Sequence, residues 1–199
     1  MDQGQKLWKR ANVIILGGNS LLSKNPNLFL PNKWPTYFSK SKGCKVWDLN
    51  NKVYTDMSLM GVGTNILGYC NSEVDNAVKK AIKKGNLTTL NCPEEVFLAE
   101  KLLDMHPWAG KVKFARTGGE ANAIAIRIAR SASGRKNVAF CGYHGWHDWY
   151  LAANLNDKDK LKKHLLPGLN PLGVPKELSG SIFAFTYNNT IQLMMVKNK

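Results

Sequence analysis

Hydrophobic positions recur at helical spacing in three stretches of the chain. Val74, Ala77, Val78, Ala81 and Ile82 fall at intervals of three and four, which predicts a buried stripe on one helix face. Ser72 stands where an N-cap is needed, Asp75 completes a capping-box pattern, and Gly85 ends the helix after a lysine-rich last turn. A second helix opens at Pro93, with Glu94 and Glu95 matched to the positive end of the dipole; its face is Val96, Ala99 and Leu103, and Pro107 stops it. In the third, Ala121, Ile124, Ala125 and Ile128 share a face behind Thr117-Gly118-Gly119, with Arg127 and Arg130 largely off it.

Strand signals lie between and before these helices. Cys44–Leu49 and Lys52–Met57 flank Asn50-Asn51, a pair that tolerates the left-handed conformation of a tight hairpin. Lys111–Ala115, Asn137–Cys141 and Ser181–Phe185 predict short strands of a parallel sheet. Residues 1–35 read as an arm: Gly17-Gly18-Asn19-Ser20 is a turn, and Pro26, Pro31 and Pro35 argue against a long regular element. A lysine-rich helix is expected from Asp157 to Leu166, and Asn188-Asn189-Thr190 can cap another.

Lys111–Ala115, the third helix and Asn137–Cys141 compose a βαβ unit, and with it an α/β fold. Such units are parallel and right-handed, so both strands end at one sheet edge, where open α/β sheets bind ligands. Thr117-Gly118-Gly119 and Tyr143-His144-Gly145 both follow strand ends and should converge there. Two glycines before a helix let a ligand approach unpaired N–H groups at the positive end of the dipole, which suits a phosphate. The same glycines also serve ordinary turns, and Tyr143, Trp146, Trp149 and Tyr150 also serve ordinary cores. Gly61-Val62-Gly63-Thr64-Asn65 is a permissive loop that could admit a ligand or simply connect elements.

Composition narrows the class. The 199 residues, 44% hydrophobic and 21% charged, are those of a folded soluble protein, and no apolar run reaches membrane-span length. The first ten residues have no secretory pattern, and four separated cysteines form no CxxC pair, so free thiols in the cytoplasm are expected. His144, His147 and Asp148 have a spacing that invites a metal, but the glycines around them do not read as a helix and no further histidine cluster completes the set. The net charge of +14 raises the alternative of a basic nucleic-acid-binding module; scattered lysines and scarce arginines argue against it.

The run Phe114–Arg130 containing Thr117-Gly118-Gly119-Glu120-Ala121-Asn122, followed by Gly142-Tyr143-His144-Gly145-Trp146-His147, resembles the class III pyridoxal-phosphate-dependent aminotransferases. Within them the pattern is similar to proteins of the glutamate-1-semialdehyde 2,1-aminomutase kind. The resemblance extends from about Gly17 to the C-terminus. It implies an aspartate aminotransferase-like, fold type I architecture with a mainly parallel sheet. Residues 1–68 would be the N-terminal arm and the small-domain β-hairpin, and 69–199 the first half of the large cofactor domain. It implies pyridoxal 5′-phosphate held at its phosphate by Thr117, Gly118 and Gly119, stacked on by Tyr143 and lined by His144. Many relatives carry threonine at the position of Gly119, so a phosphate-binding hydroxyl is absent here. Ser20, Thr64 and Asn65 would belong to the substrate pocket, for a small-molecule amino donor and acceptor, in a homodimer. In the family the Schiff-base lysine and the carboxylate paired with the pyridinium follow the strand that ends near Phe185, and no lysine here has a matching context. The expectation is therefore an N-terminal half, with a non-catalytic truncated remnant or assembly partner as the alternative.

Overall fold

The computed structural model describes residues 2–155 and 169–197, which divide into two compact units, Met1–Asn91 and Cys92–Lys199. The helix expected over Asp157–Leu166 lies outside the described residues. No described helix is long and apolar enough to cross a membrane.

The first unit begins with a helix where an arm was expected. α1 spans Gln3–Ile14, and Asp2 caps it by accepting from the Gly4 N–H at 2.7 Å. The prolines of this region start only at Pro26, so nothing forbids a helix before them. Gln5, Trp8 and Ala11 are buried along one side of α1, and Gln5 Nε2 donates to the Trp34 carbonyl at 2.6 Å.

Strands β1 (Phe38–Lys42), β2 (Lys45–Asp48) and β3 (Val53–Thr55) follow as an antiparallel sheet in that order. The expected Asn50-Asn51 hairpin joins β2 to β3, with Asn51 in the left-handed region at φ +63°. Asp48 fixes this turn. Its buried carboxylate accepts from Asn50 N (2.8 Å), Lys52 N (2.9 Å) and Tyr54 Oη (3.1 Å). Burial pushes the Asp48 carboxyl up, but the hydrogen bonds from Lys52, Asn50 and Tyr54 outweigh it and hold the pKa below its ordinary value. α2 then runs Ser72–Lys83. Its cap is Asn71 rather than Ser72: the Asn71 side-chain oxygen accepts from Glu73 N and Val74 N, so Ser72 is already helical. The helix forms as its pattern predicts, yet the stripe is exposed, Val74 by 48% and Ile82 by 60%.

The second unit contains α3 (Pro93–Met105), α4 (Gly118–Ser133), β4 (Val138–Phe140), the single-turn α5 (Asp148–Leu151), β5 (Ile182–Ala184) and α6 (Thr190–Lys197). β4 and β5 pair in parallel, Ala139 opposite Phe183. Lys111–Ala115 does not form the expected strand, because among the described residues it has no ladder partner. Asn189 initiates α6 by accepting from Gln192 N at 3.0 Å.

The core of this unit gathers Phe140, Trp149, Tyr150, Leu151, Val174 and Ile182, with Ala123 and Ile126 of α4 packed against it. α4 thus presents a different face from the expected one. Ala121, Ala125 and Ile128 are exposed and Ile124 is half-buried. α4 is apolar on more than one side, and the packing of the Trp149–Ala153 segment selects the side bearing Ala123 and Ile126.

The depressed Asp48 pKa has a definite pH signature. Its stabilisation is present above the ordinary carboxylate value of 3.8 and is lost as pH falls through the lower folded value. Urea unfolding followed against pH should show the wild type weakening below about pH 4. Asp48→Asn should be less stable at neutral pH and lose part of that acid dependence; an unchanged profile would remove Asp48 from the account.

Candidate functional site

The site is built on the start of α4. Thr117 adopts extended backbone as the N-cap, and its Oγ1 accepts from Glu120 N at 3.2 Å. Glu120 closes a capping box, its Oε2 accepting from Thr117 N at 3.2 Å and from Arg116 N at 2.9 Å. Ala121 N bonds the Thr117 carbonyl. The N–H groups of Gly118 and Gly119 have no partner among the described residues, and the Thr117 hydroxyl keeps its proton to donate. Three donors and the helix dipole therefore meet at one place, the chemistry of an oxyanion receptor.

The second loop leaves β4 and comes back against this helix start. Gly145 is buried with φ +102°, and a Cβ added to it would lie 3.0 Å from the Gly119 Cα. A Cβ on Gly119 would in turn lie 3.0 Å from His147 Cδ2 and 3.1 Å from Nε2. The His147 ring thus fills the space that a side chain at position 119 would need. Backbone against backbone, the two loops meet without room for another carbon.

Tyr143 precedes this contact and is 47% exposed, so ring area remains for a partner; its ring meets Tyr150 edge-on at 6.0 Å. Tyr150 is fully buried and donates from Oη to the Gly142 carbonyl at 3.1 Å. Burial pushes its phenol up to about 12, against the lowering effect of the His144 backbone hydrogen bond. His144 is half-buried beside Phe140, Trp149 and Tyr150, and its Nε2 lies 2.7 Å from the Cys141 carbonyl. With Nε2 donating to that carbonyl, neutral His144 keeps Nδ1 as an acceptor.

Ser20, Thr64 and Asn65 all belong to the first unit. Ser20 is exposed. Thr64 Oγ1 donates to the Gly61 carbonyl at 2.7 Å, and Asn65 joins Phe29, Phe38, Leu59, Val62 and Tyr69 around a cavity of about 740 Å³. Gly61, Val62 and Gly63 all have positive φ, unusual for the β-branched Val62. Among the described residues no group of three or more His, Cys, Asp and Glu gathers as a metal site. His147, weighed in the sequence only beside His144, is the residue that the pattern missed. The one available signal was the absence of side chains at Gly119 and Gly145.

The profile of the family described as aminotransferase class-III matches residues 31–184. This chain belongs to the class III aminotransferases. Its class III relatives include the 3-aminobutyryl-CoA aminotransferase of Cloacimonas acidaminovorans, 31% identical over 98% of this chain and 43% of that protein. Glutamate-1-semialdehyde 2,1-aminomutase of Methanocaldococcus jannaschii is 30% identical over 95% of this chain and 42% of its own length. The solved FumI protein of Sphingopyxis sp. MTA144, in its PLP internal aldimine form, superposes with a TM-score of 0.79 at 26% identity, over 98% of this chain and 43% of that one. An omega-transaminase from Sphaerobacter thermophilus gives a TM-score of 0.77 at 23% identity, over 99% and 44%. The architecture is that of the fold type I pyridoxal-phosphate-dependent transferases, and the class III chain described here spans less than half the length of these relatives.

The two glycines of this class III site separate a steric demand from a permissive one. Gly145→Ala puts a Cβ into both a left-handed backbone and the Gly119 Cα, and should lower stability by about 1–3 kcal/mol. Gly118→Ala meets nothing within 4 Å and should stay within about 0.5 kcal/mol of wild type in the same thermal unfolding measurement. Equal effects at the two positions would contradict the close approach.

Proposed function

We propose that the complete protein is a pyridoxal 5′-phosphate-dependent aminotransferase or aminomutase in which this chain supplies the phosphate receptor and the ring-stacking loop. The observation that carries the proposal is the Gly119–Gly145 approach, which joins an unsatisfied helix start to the Tyr143 loop in one compact unit of a class III chain. The residues fit the group. The Thr117 hydroxyl and the Gly118 and Gly119 amides offer donors to a phosphate, and the helix dipole favours its charge. Tyr143 offers exposed ring area to a pyridine, and Tyr150, locked in the core, limits where Tyr143 can move. His144, tethered to the Cys141 carbonyl, lines the same segment and can hold a proton donor at Nδ1.

When bound, pyridoxal phosphate supplies an electrophilic carbon for an amino group and an aromatic ring that withdraws electrons. The chain anchors that chemistry by fixing the anionic end and the ring plane, so orientation is settled before a substrate arrives. On this reading residues 1–68 are arm and small-domain hairpin, and 69–199 begin the large domain. Ser20, Thr64 and Asn65 face a small amino donor or acceptor. The complete protein is a cytoplasmic homodimer. The Schiff-base lysine and the pyridinium-pairing carboxylate belong to the part of the fold that follows Phe185.

Pyridoxamine 5′-phosphate is the probe of choice, because it carries no aldehyde to react with the many surface lysines. Titrated into this chain and followed by intrinsic fluorescence, it should bind more tightly than pyridoxamine. Thr117→Val should weaken it about tenfold while leaving pyridoxamine unaffected, and Tyr143→Ala should weaken both. Equal affinity with and without the phosphate, unchanged by Thr117→Val, would overturn the proposal. In the full-length protein, amino transfer from a donor to a 2-oxo acid should require the cofactor.

A further inference from the structure

We infer that His147 is an additional phosphate ligand of this site, donating from Nε2 beside the Thr117 hydroxyl and the Gly118 and Gly119 amides. The inference rests on the phosphate receptor proposed above and adds to it a side chain from the opposite loop.

Position comes first. A Cβ built on Gly119 would have His147 Nε2 at 3.1 Å and Thr117 Oγ1 at 3.9 Å. Both donors therefore flank a single point over the first turn of α4, next to the two unpartnered amides. Gly119 has no side chain of its own to occupy that point, and Gly118 has nothing within 4 Å of its Cβ position. The receptor is open on the Gly118 side and closed by an imidazole on the Gly119 side.

The His147 ring is held in place. Trp146 stacks on it with centroids 5.2 Å apart and planes 24° from parallel. Its backbone carbonyl accepts from Tyr150 N and Leu151 N, so it forms the N-cap of α5, and Trp149, Tyr150 and Leu151 of that turn are buried in the core. The buried turn below fixes the backbone from which the ring projects, and the exposed indole of Trp146 covers one of its faces. Yet among the described residues no side-chain hydrogen bond uses either His147 nitrogen, in contrast to His144, which spends Nε2 on the Cys141 carbonyl. An imidazole carries at least one N–H donor, and among the described residues no acceptor takes that of His147. An anion at the α4 start supplies one.

The electrostatic setting favours this use. Arg127 and Arg130 of α4 line a cavity of about 390 Å³ with Trp146, His147, Asp148 and Trp149. Two guanidinium groups and one carboxylate leave that wall net positive. For an anion at the α4 start the nearest positive potential is that of the helix dipole itself; Arg127 and Arg130 stand more than two turns further along α4, and Arg130 Nε donates to the Lys136 carbonyl. The role is that of a direct ligand to the phosphate.

The test uses nitrogen-edited NMR of this chain titrated with inorganic phosphate and then with pyridoxamine 5′-phosphate. The His147 Nε2 resonance should shift together with the Gly118 and Gly119 amides, on one saturation curve. His147→Ala should weaken pyridoxamine 5′-phosphate about tenfold, the usual worth of a charge-assisted hydrogen bond. His147→Gln, whose amide nitrogen reaches the place of Nε2, should keep most of the affinity. His147→Asn, too short to reach it, should behave like alanine. Amides that shift while Nε2 stays still, or Gln and Asn variants of equal affinity, would overturn the role of His147 and leave the phosphate receptor standing. Amides that do not respond to either probe would instead sink the receptor itself, and the His147 role with it.

Discussion

Gly119 and Gly145 touch through their backbones, and the rest of the site depends on that contact. Its tolerance is a single carbon: a Cβ on Gly145 would fall 3.0 Å from the Gly119 Cα. Protein interiors do not absorb that overlap without moving backbone. The contact carries the Tyr143 loop to the start of α4, so a helix terminus rich in unused N–H groups faces an aromatic segment. Each alone is commonplace. Together they set unused N–H donors beside an aromatic surface, the juxtaposition on which the proposed cofactor site rests.

Two anchors keep the contact from drifting. On the α4 side, the Thr117–Glu120 capping box satisfies the outer donors and leaves the Gly118 and Gly119 amides to a ligand. On the loop side, buried Tyr150 ties the phenol to the Gly142 carbonyl, and α5 starts from the His147 carbonyl. The core of Phe140, Trp149, Tyr150 and Ile182 therefore serves as a mount for the loop as well as a source of stability. That mount explains why one short segment carries so many large aromatic residues.

Much of this was legible in the sequence, and what was not has physical reasons. Periodicity located α2, α3 and α4, and Asn50-Asn51 located the hairpin, because those signals are local. α1 was missed because the prolines that suggested an arm begin only after it. Lys111–Ala115 has a strand-like pattern, but a strand also needs a partner edge, which a pattern does not reveal. The stripes on α2 and α4 show which side of a helix favours cover and not what provides it, so Val74 and Ile128 stand exposed and α4 packs through Ala123 and Ile126. His147 could not be read from spacing, since its place beside Gly119 depends on how two loops cross. The family motifs pointed to two loops that meet in the fold, while the fit between a missing side chain at position 119 and a half-buried imidazole required the fold.

The most direct measurement is the nuclear Overhauser effect between the α-protons of Gly119 and Gly145 in the intact chain, with Gly118 as the neighbouring reference. The account predicts a strong cross-peak between positions 119 and 145 in the absence of any added ligand. A spectrum in which both glycines are assigned and no such cross-peak appears would contradict it, because the helix start and the tyrosine loop would then be separate features of the chain.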